Sequence, residues 1–175
     1  MKLNFDKSFD LVIKSEGGYV NDPLDRGGET NLGVTKAAWM SYLKVSELPP
    51  NAMKELTKDK VKPFYKAMYW DKVCGDDLPS GIDYIAFDFA VNAGAGQSAK
   101  FIQRAVGSNA DGVIGPATME KIIKTASADL LSSFTQQREK FYRDIVARRP
   151  EQVKFLKGWL ARVAHSDKEA RTMLV

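Results

Sequence analysis

The stretch that most restricts the fold is Ile82 through Ala93, which is apolar almost all round as a helix. A helix with no wet face has to lie in the middle of a fold and be wrapped by other elements. The rest of the chain supplies such a wrapping. Phe5, Phe9, Val12 and Ile13 make an apolar stripe that predicts a first helix over about 5–17, capped by Asn4 or Asp6 and stopped by Gly17-Gly18. Thr35 reads as the cap of a helix through Trp39 and Leu43. A helix over about 57–73 would turn Phe64, Met68 and Tyr69 inward, with Pro63 kinking it or starting its second part. Four more helices are expected at about 96–106, 116–126, 128–149 and 150–165, and Pro116 and Pro150 suit first helical turns. Only residues 19–34, with turn chemistry at Asn21-Asp22-Pro23 and Arg26-Gly27-Gly28, suggest a small hairpin or three-stranded ribbon. The expected class is mainly α. The Gly94-Ala-Gly96 break suggests lobes at 1–95 and 96–175, closely packed.

Several function classes are disfavoured at once. With Cys74 as the one cysteine, no internal disulfide or cysteine-based metal site can form. With His165 as the one histidine, on a charged helix with no obvious partner, a Ser-His-Asp mechanism is disfavoured. No cofactor or metal is expected. The opening residues do not read as a signal peptide, because Asp6, Lys7 and Asp10 interrupt the apolar ones. Synthesis in the cytoplasm is the expectation. The net charge of +4 is unevenly spread: residues 1–95 hold 12 Lys/Arg against 14 Asp/Glu, whereas 96–175 hold 14 against 8. The basic half points to a polyanionic partner, or to a solvated, salt-bridged helix face. Nucleic acid is the weakest choice, since no known motif appears and the excess is small.

The chemistry concentrates in Glu16-Gly-Gly-Tyr-Val-Asn-Asp-Pro-Leu-Asp25-Arg-Gly-Gly-Glu-Thr30-Asn-Leu-Gly33. Glu16 follows Ile13 by three, Val12 by four and Phe9 by seven, which places it on the buried stripe of the first helix. Burial disfavours the charged form of a carboxylate, and a carboxylic acid that holds its proton is what a leaving glycosidic oxygen needs. The plain alternative is an ordinary helix-end glutamate paired with Arg26. Asp25, nine residues on, supplies a second carboxylate that can stabilise an oxocarbenium-like transition state or activate water; otherwise it is a turn residue before Gly27-Gly28. Asp22 and Glu29 are weaker rivals. Thr30, or Asn31 beside it, offers a group to hold that water, or simply a ribbon hydrogen bond.

This motif resembles the signature of glycoside hydrolase family 108, the N-acetylmuramidases found among phage endolysins. Tyr69-Trp70-Asp71 with Gly75-Asp-Asp-Leu-Pro79, and Phe89-Ala-Val-Asn92-Ala-Gly94, resemble the same family. Gln103 and Asp111-Gly-Val-Ile-Gly-Pro-Ala-Thr118 resemble the peptidoglycan-binding region that follows its catalytic part. The resemblance implies a lysozyme-like α+β fold and hydrolysis of the bond between N-acetylmuramic acid and N-acetylglucosamine. It also implies Glu16 as the catalytic acid with Asp25 and Thr30 as helpers, and action in the periplasm or cell wall after release.

Tyr19, next to the acid, is expected to pack a sugar face or to cover the core. Asp88 and Asn92, four apart on the apolar helix, would touch sugar or tie the helix to a neighbour. Trp39, Trp70 and Trp159 are expected in the core, and Cys74 at a loop edge. From Arg138 to Arg171, ten Lys/Arg stand against five Asp/Glu, interleaved with Phe141, Phe155 and Trp159. That pattern suits a bundle with a wet basic face, or contact with anionic membrane or lipopolysaccharide. A monomer acting on peptidoglycan is expected. The rivals are a lytic transglycosylase on the same substrate and a non-catalytic wall- or membrane-binding protein.

Overall fold

The computed structural model describes residues 4–21 and 28–174. In chain order these form α1 (Asn4–Ile13), β1 (Thr30–Asn31), β2 (Val34–Thr35), α2 (Lys36–Leu43) and α3 (Lys58–Tyr65), then a π turn (Lys66–Trp70) and a 3-10 turn (Asp71–Val73). After them come α4 (Ile82–Ala93), α5 (Ala95–Ala105), α6 (Pro116–Lys124), α7 (Ser127–Arg148), a second 3-10 turn (Pro150–Gln152) and α8 (Val153–Met173). The fold is mainly helical, with one small antiparallel sheet, as the sequence leads one to expect. Its contacts separate two compact units. Asp6–Met68 form one, and the chain from Tyr69 onward, with the start of α1, forms the other. α4 therefore groups with the helices that follow residue 95.

In the larger unit α4 is the axis: every residue from Ile82 to Ala90 is buried. Two of these are carboxylates, and each has been given partners. Asp83 accepts bonds from the Gly81 and Tyr84 amides at 2.8 and 2.7 Å and from Asn4 Nδ2 at 2.8 Å. An acid in the first turn also suits the helix dipole, but burial still pushes the Asp83 carboxyl above its ordinary range. Asp88, 3% exposed, receives Arg162 Nε and Nη2 on Oδ1 at 3.1 and 2.9 Å. Its Oδ2 lies 2.8 Å from Nη2 of the wholly buried Arg138, a charge contact without the alignment of a hydrogen bond. Arg138 Nη1 donates to Ser166 Oγ at 3.0 Å, and its guanidinium lies 4.8 Å from the Phe89 ring centroid. Phe89 leads the aromatic core, 4.9 Å from Phe101, 5.8 Å from Phe134 and 5.6 Å from Phe141.

Two family-like segments have packing explanations in this unit. Gly75 lies against the Trp70 indole, where any Cβ would collide with the ring, and Trp70 Nε1 donates to Asp76 Oδ1 at 3.1 Å. The loop before α6 is clamped by the buried Gln103, whose Nε2 donates to Asp111 Oδ1 and Val113 O while its Oε1 accepts from Gly112 N. The glutamine contact is the main reason the Asp111 carboxyl is held below its usual range.

The smaller unit has its own core. Phe9 meets Tyr65 at 5.5 Å, and Phe64 contacts Tyr65, Trp39 and Tyr42 at 5.8, 5.9 and 5.3 Å. Thr35 caps α2, accepting from Ala38 N at 3.2 Å.

Two boundaries and one side-chain orientation differ from the sequence reading. α1 stops at Ile13, because the Ser15 and Glu16 amides reach back three residues, to Val12 O and Ile13 O, rather than four. Met68 is 38% exposed instead of inward, since spacing by fours no longer marks one face once the helix widens into the π turn. α8 continues to Met173, eight residues past the expected end, burying Ser166, Ala170 and Met173.

The charge cluster on α4 makes a stability prediction. Asp88→Asn leaves the Arg138 charge uncompensated in the core and should destabilise the protein by about 3–5 kcal/mol in urea unfolding. A loss under about 1 kcal/mol, typical of exposed pairs, would contradict this account.

Candidate active site

Register Thr30↔Thr35 and Asn31↔Val34 leaves Leu32-Gly33 as a two-residue hairpin loop. Both loop residues have positive φ, +49° and +72°, as a type I′ turn requires. For leucine this conformation costs roughly 1 kcal/mol. The turn is held by Tyr65, a wholly buried residue whose hydroxyl donates to Leu32 O at 2.8 Å. The Glu16 carboxylate lies against the turn at the same point: a Cβ built on Gly33 would fall 2.7 Å from Glu16 Oε2 and 2.5 Å from the Tyr65 hydroxyl oxygen. Glycine is thus needed at 33 for two reasons, the positive φ and the space that Glu16 and Tyr65 occupy.

Glu16 itself is half-buried and sits in the turn after α1. The helical stripe that suggested a fully buried position ends at Ile13, so its setting comes from the hairpin tip. Thr30 pairs with Val20 through reciprocal amide–carbonyl bonds of 2.8 and 2.9 Å, which adds a single bridge to the two-stranded sheet. Among the described residues, the Thr30 hydroxyl makes only a long 3.4 Å bond to Gly28 O. Neighbouring strand residues point to opposite faces, and the buried Asn31 sends its amide the other way, donating to Met53 O at 2.7 Å. Asn31 is therefore an anchor for the 53–54 loop. Asp25, with Asp22 and Arg26, lies outside the described residues.

Tyr19 is half-buried and pairs with Glu29. Its hydroxyl donates to Glu29 Oε1 at 2.8 Å, and Lys36 Nζ meets Glu29 Oε2 at 3.0 Å. Lys54 Nζ lies 5.4 Å from the Tyr19 ring centroid. The tyrosine bond, then the lysine, hold the Glu29 carboxyl below its usual range, and the same bond pushes the Tyr19 phenol up. Glu29 and Lys36 also border a hollow of about 270 Å³ closed by residues 48–53.

Asp88 and Asn92 belong to the other compact unit. Asp88 is committed to Arg138 and Arg162, so its role is to key helices together rather than to offer an open contact to sugar. Asn92 is exposed near the end of α4, and its amide donates to Asp88 O at 2.9 Å. Trp39 and Trp70 are core residues as expected, and Trp159 is half-buried, stacked on Tyr142 at 5.1 Å. Sequence reasoning missed Tyr65. It lies 33 residues from its partner Leu32, and no local pattern links them. Among the described residues, no group of His, Cys, Asp and Glu is arranged to hold a metal ion.

A depressed carboxyl contributes stability above its unfolded pKa and loses it as pH falls through the folded value. Tyr19→Phe removes the main cause at Glu29. The Glu29 midpoint, followed by carboxyl-carbon NMR, should move up toward the ordinary glutamate value, and that acid-side contribution should shrink. An unmoved midpoint would refute the Tyr19 assignment.

Comparison with known proteins agrees with this architecture. The profile of the family described as Glycosyl hydrolase 108 matches residues 9–94, and that of a Predicted Peptidoglycan domain matches 97–164. The solved structure of Brucella abortus SagA superposes with a TM-score of 0.84 at 34% sequence identity, over 98% of this chain and 96% of that one. A search of curated proteins finds no match. With a shared fold, a third of its residues in common with a solved relative and both profiles in sequence order, the chain belongs to the glycosyl hydrolase 108 family, glycosidases that degrade the peptidoglycan of the bacterial cell wall.

Proposed function

We propose that the chain is an endolysin-type muramidase, hydrolysing the β-1,4 bond between N-acetylmuramic acid and N-acetylglucosamine with Glu16 as general acid. The observation that carries this reading is the seating of the Glu16 carboxylate against a strained hairpin tip, in the space that Gly33 leaves open beside the Tyr65 hydroxyl. Strained backbone retained beside a carboxylate is a recurrent feature of active sites. Glu16 protonates the leaving oxygen. Asp25 acts from the opposite side, directly or through a water held near the Thr30 hydroxyl. With an intervening water the reaction inverts, and the two carboxyls stand about 6.5–9.5 Å apart; direct attack needs about 5 Å. The enzyme acts on the bacterial cell wall as a monomer.

Digestion of purified sacculi tests the reaction. Wild type should yield fragments with N-acetylmuramic acid at new reducing ends, whereas 1,6-anhydro ends would mean a lytic transglycosylase instead. Glu16→Gln should lower lysis by at least ~10²-fold while the protein stays folded by circular dichroism. Lysis retained in that variant would end the Glu16 assignment.

A second variant probes positioning. Gly33→Ala drives a methyl group into the Glu16 carboxylate and the Tyr65 hydroxyl, so lysis should fall at least ~10-fold in a folded protein, since small misplacements of a catalytic group are costly. Wild-type kcat in Gly33→Ala would show that the hairpin tip does not position the acid.

A further inference from the structure

From Ala147 to Gly158, across the turn that joins α7 to α8, every residue except Gln152 and Leu156 is exposed. This run carries Arg148, Arg149, Lys154 and Lys157 against Glu151 alone. Elsewhere on these two helices cations are matched: Lys140 by Asp144, Arg171 by Asp167, and Arg138 and Arg162 by Asp88. The four at the turn have no carboxylate partner among the described residues. Arg148 is oriented through its Nε, which donates to Asp144 O at 3.1 Å and leaves the terminal nitrogens uncommitted. Arg148 and Arg149 together with Ile145 line an open hollow of about 300 Å³.

Apolar surface is left uncovered at the same place. Val153 is 58% exposed and Phe155 46%. Phe155 is the outer rung of an aromatic ladder: it lies 5.8 Å from Trp159, which stacks on Tyr142 at 5.1 Å, which meets Phe141 at 5.4 Å. Those contacts hold the ring in place without covering it. Lys154 Nζ lies 5.0 Å from the Phe155 centroid. Single exposed apolar residues are ordinary on a protein surface. Here two stand two residues apart, bordered by four cations that the protein does not neutralise. Unspent positive charge around uncovered apolar side chains is the pattern of a segment that lies in a membrane interface.

We propose that the α7–α8 turn docks on an anionic phospholipid bilayer, with Arg148 and Arg149 receiving headgroup phosphates, Lys154 and Lys157 reaching up to the headgroup layer, and Val153 and Phe155 entering the apolar boundary beneath. The docking is independent of Glu16 and of the bond that the enzyme cleaves. A soluble polyanion fits less well, because it would match the charges and leave Val153 and Phe155 in water. An apolar protein groove fits less well too, because it would leave four cations unmatched. A bilayer offers both layers at once, negative charge outside and hydrocarbon within, in the order in which the turn presents its groups.

The test uses the full chain in co-flotation with vesicles of phosphatidylcholine alone or with one quarter phosphatidylglycerol; heparin is the parallel soluble polyanion. The chain should float with the anionic vesicles, more weakly as salt is raised, and not with the neutral ones. The double variant Arg148→Gln/Arg149→Gln, two exposed changes, should weaken binding at least about tenfold. Phe155→Ser, folded by circular dichroism, should weaken it at least about threefold while leaving heparin affinity unchanged. Lipids brominated on the acyl chain should quench the half-buried Trp159, and the quenching should vanish in Trp159→Phe, since Trp39 and Trp70 are core residues. No binding to anionic vesicles, equal binding to neutral ones, or unchanged affinity in either variant would each overturn the proposal. Binding without acyl-chain quenching would reduce the turn to a polyanion contact and overturn it as well. So would a dimer in sedimentation that Phe155→Ser dissolves, which would give the face to a second copy. Glu16→Gln should dock as wild type does, so lysis surviving in that variant removes the acid and leaves the docking surface standing.

Discussion

A carboxylate buried in the middle of an apolar helix has to be compensated, and Asp88 sets much of the larger unit by that demand. α4 has no wet face from Ile82 to Ala90, so its one mid-helix charge can be met only by residues from packed neighbours. Arg138 comes from α7 and Arg162 from α8, and they converge on the one carboxylate, Arg138 at Oδ2 and Arg162 at Oδ1. An apolar helix surface tolerates sliding; a guanidinium that must reach a fixed carboxylate does not. The ion cluster therefore fixes which turns of α7 and α8 face α4, and Phe89 stacks the aromatic core onto the same point through its contact with Arg138. These helices also carry much of the basic excess of the second half. Two of its arginines serve the interior, while Lys124, Lys140 and Arg171 sit in exposed i,i+4 pairs.

The smaller unit solves a different problem, which is to hold a carboxylate still without sealing it from the surface. Glu16 lies past the end of α1, where the regular hydrogen bonding has lapsed. Its position comes from across the chain instead, from the Leu32-Gly33 turn and the Tyr65 hydroxyl that holds the turn. Leucine in a left-handed conformation is unfavourable by itself, and the Tyr65 bond together with the Thr30–Thr35 pairing offsets it. Glu29, beside it in the ribbon, is organised just as firmly by Tyr19 and Lys36. Family membership makes peptidoglycan the substrate. The hairpin tip gives the local reason that the Glu16 side chain sits where it does.

Much of the fold was legible along the chain. Helical spacing found α1, α2, α4, α5, α6 and α7, and the cap at Thr35 was readable from its residue type alone. The errors arose where backbone geometry changed in ways that composition does not mark. The π turn at Lys66–Trp70 moved Met68 outward, and the three-residue closures after Val12 ended α1 early. Within the site, the glutamate, the ribbon and the glycines were visible as one compact motif. The Tyr65–Leu32 bond was not, because a hydroxyl that meets a carbonyl 33 residues away leaves no local trace. Asp88 looked like a possible sugar contact for the same reason: from the chain alone, a polar residue on an apolar helix does not reveal whether its partner is a ligand or an arginine 74 residues on.

By itself, then, the order of residues determined a mainly helical protein around one greasy axis, a small ribbon bearing a carboxylate motif, and a family of cell-wall glycosidases. Those properties follow from periodicity, turn chemistry and motif, all of which act over short spans. Only the tertiary structure decided that Asp88 is a structural charge, that Asn31 is an anchor, and that Gly33 is shaped around Glu16 and Tyr65. The physical reason is common to all of them: the worth of a polar group depends on whether its partner is water, another side chain or a ligand, and that is settled only when distant parts of the chain meet.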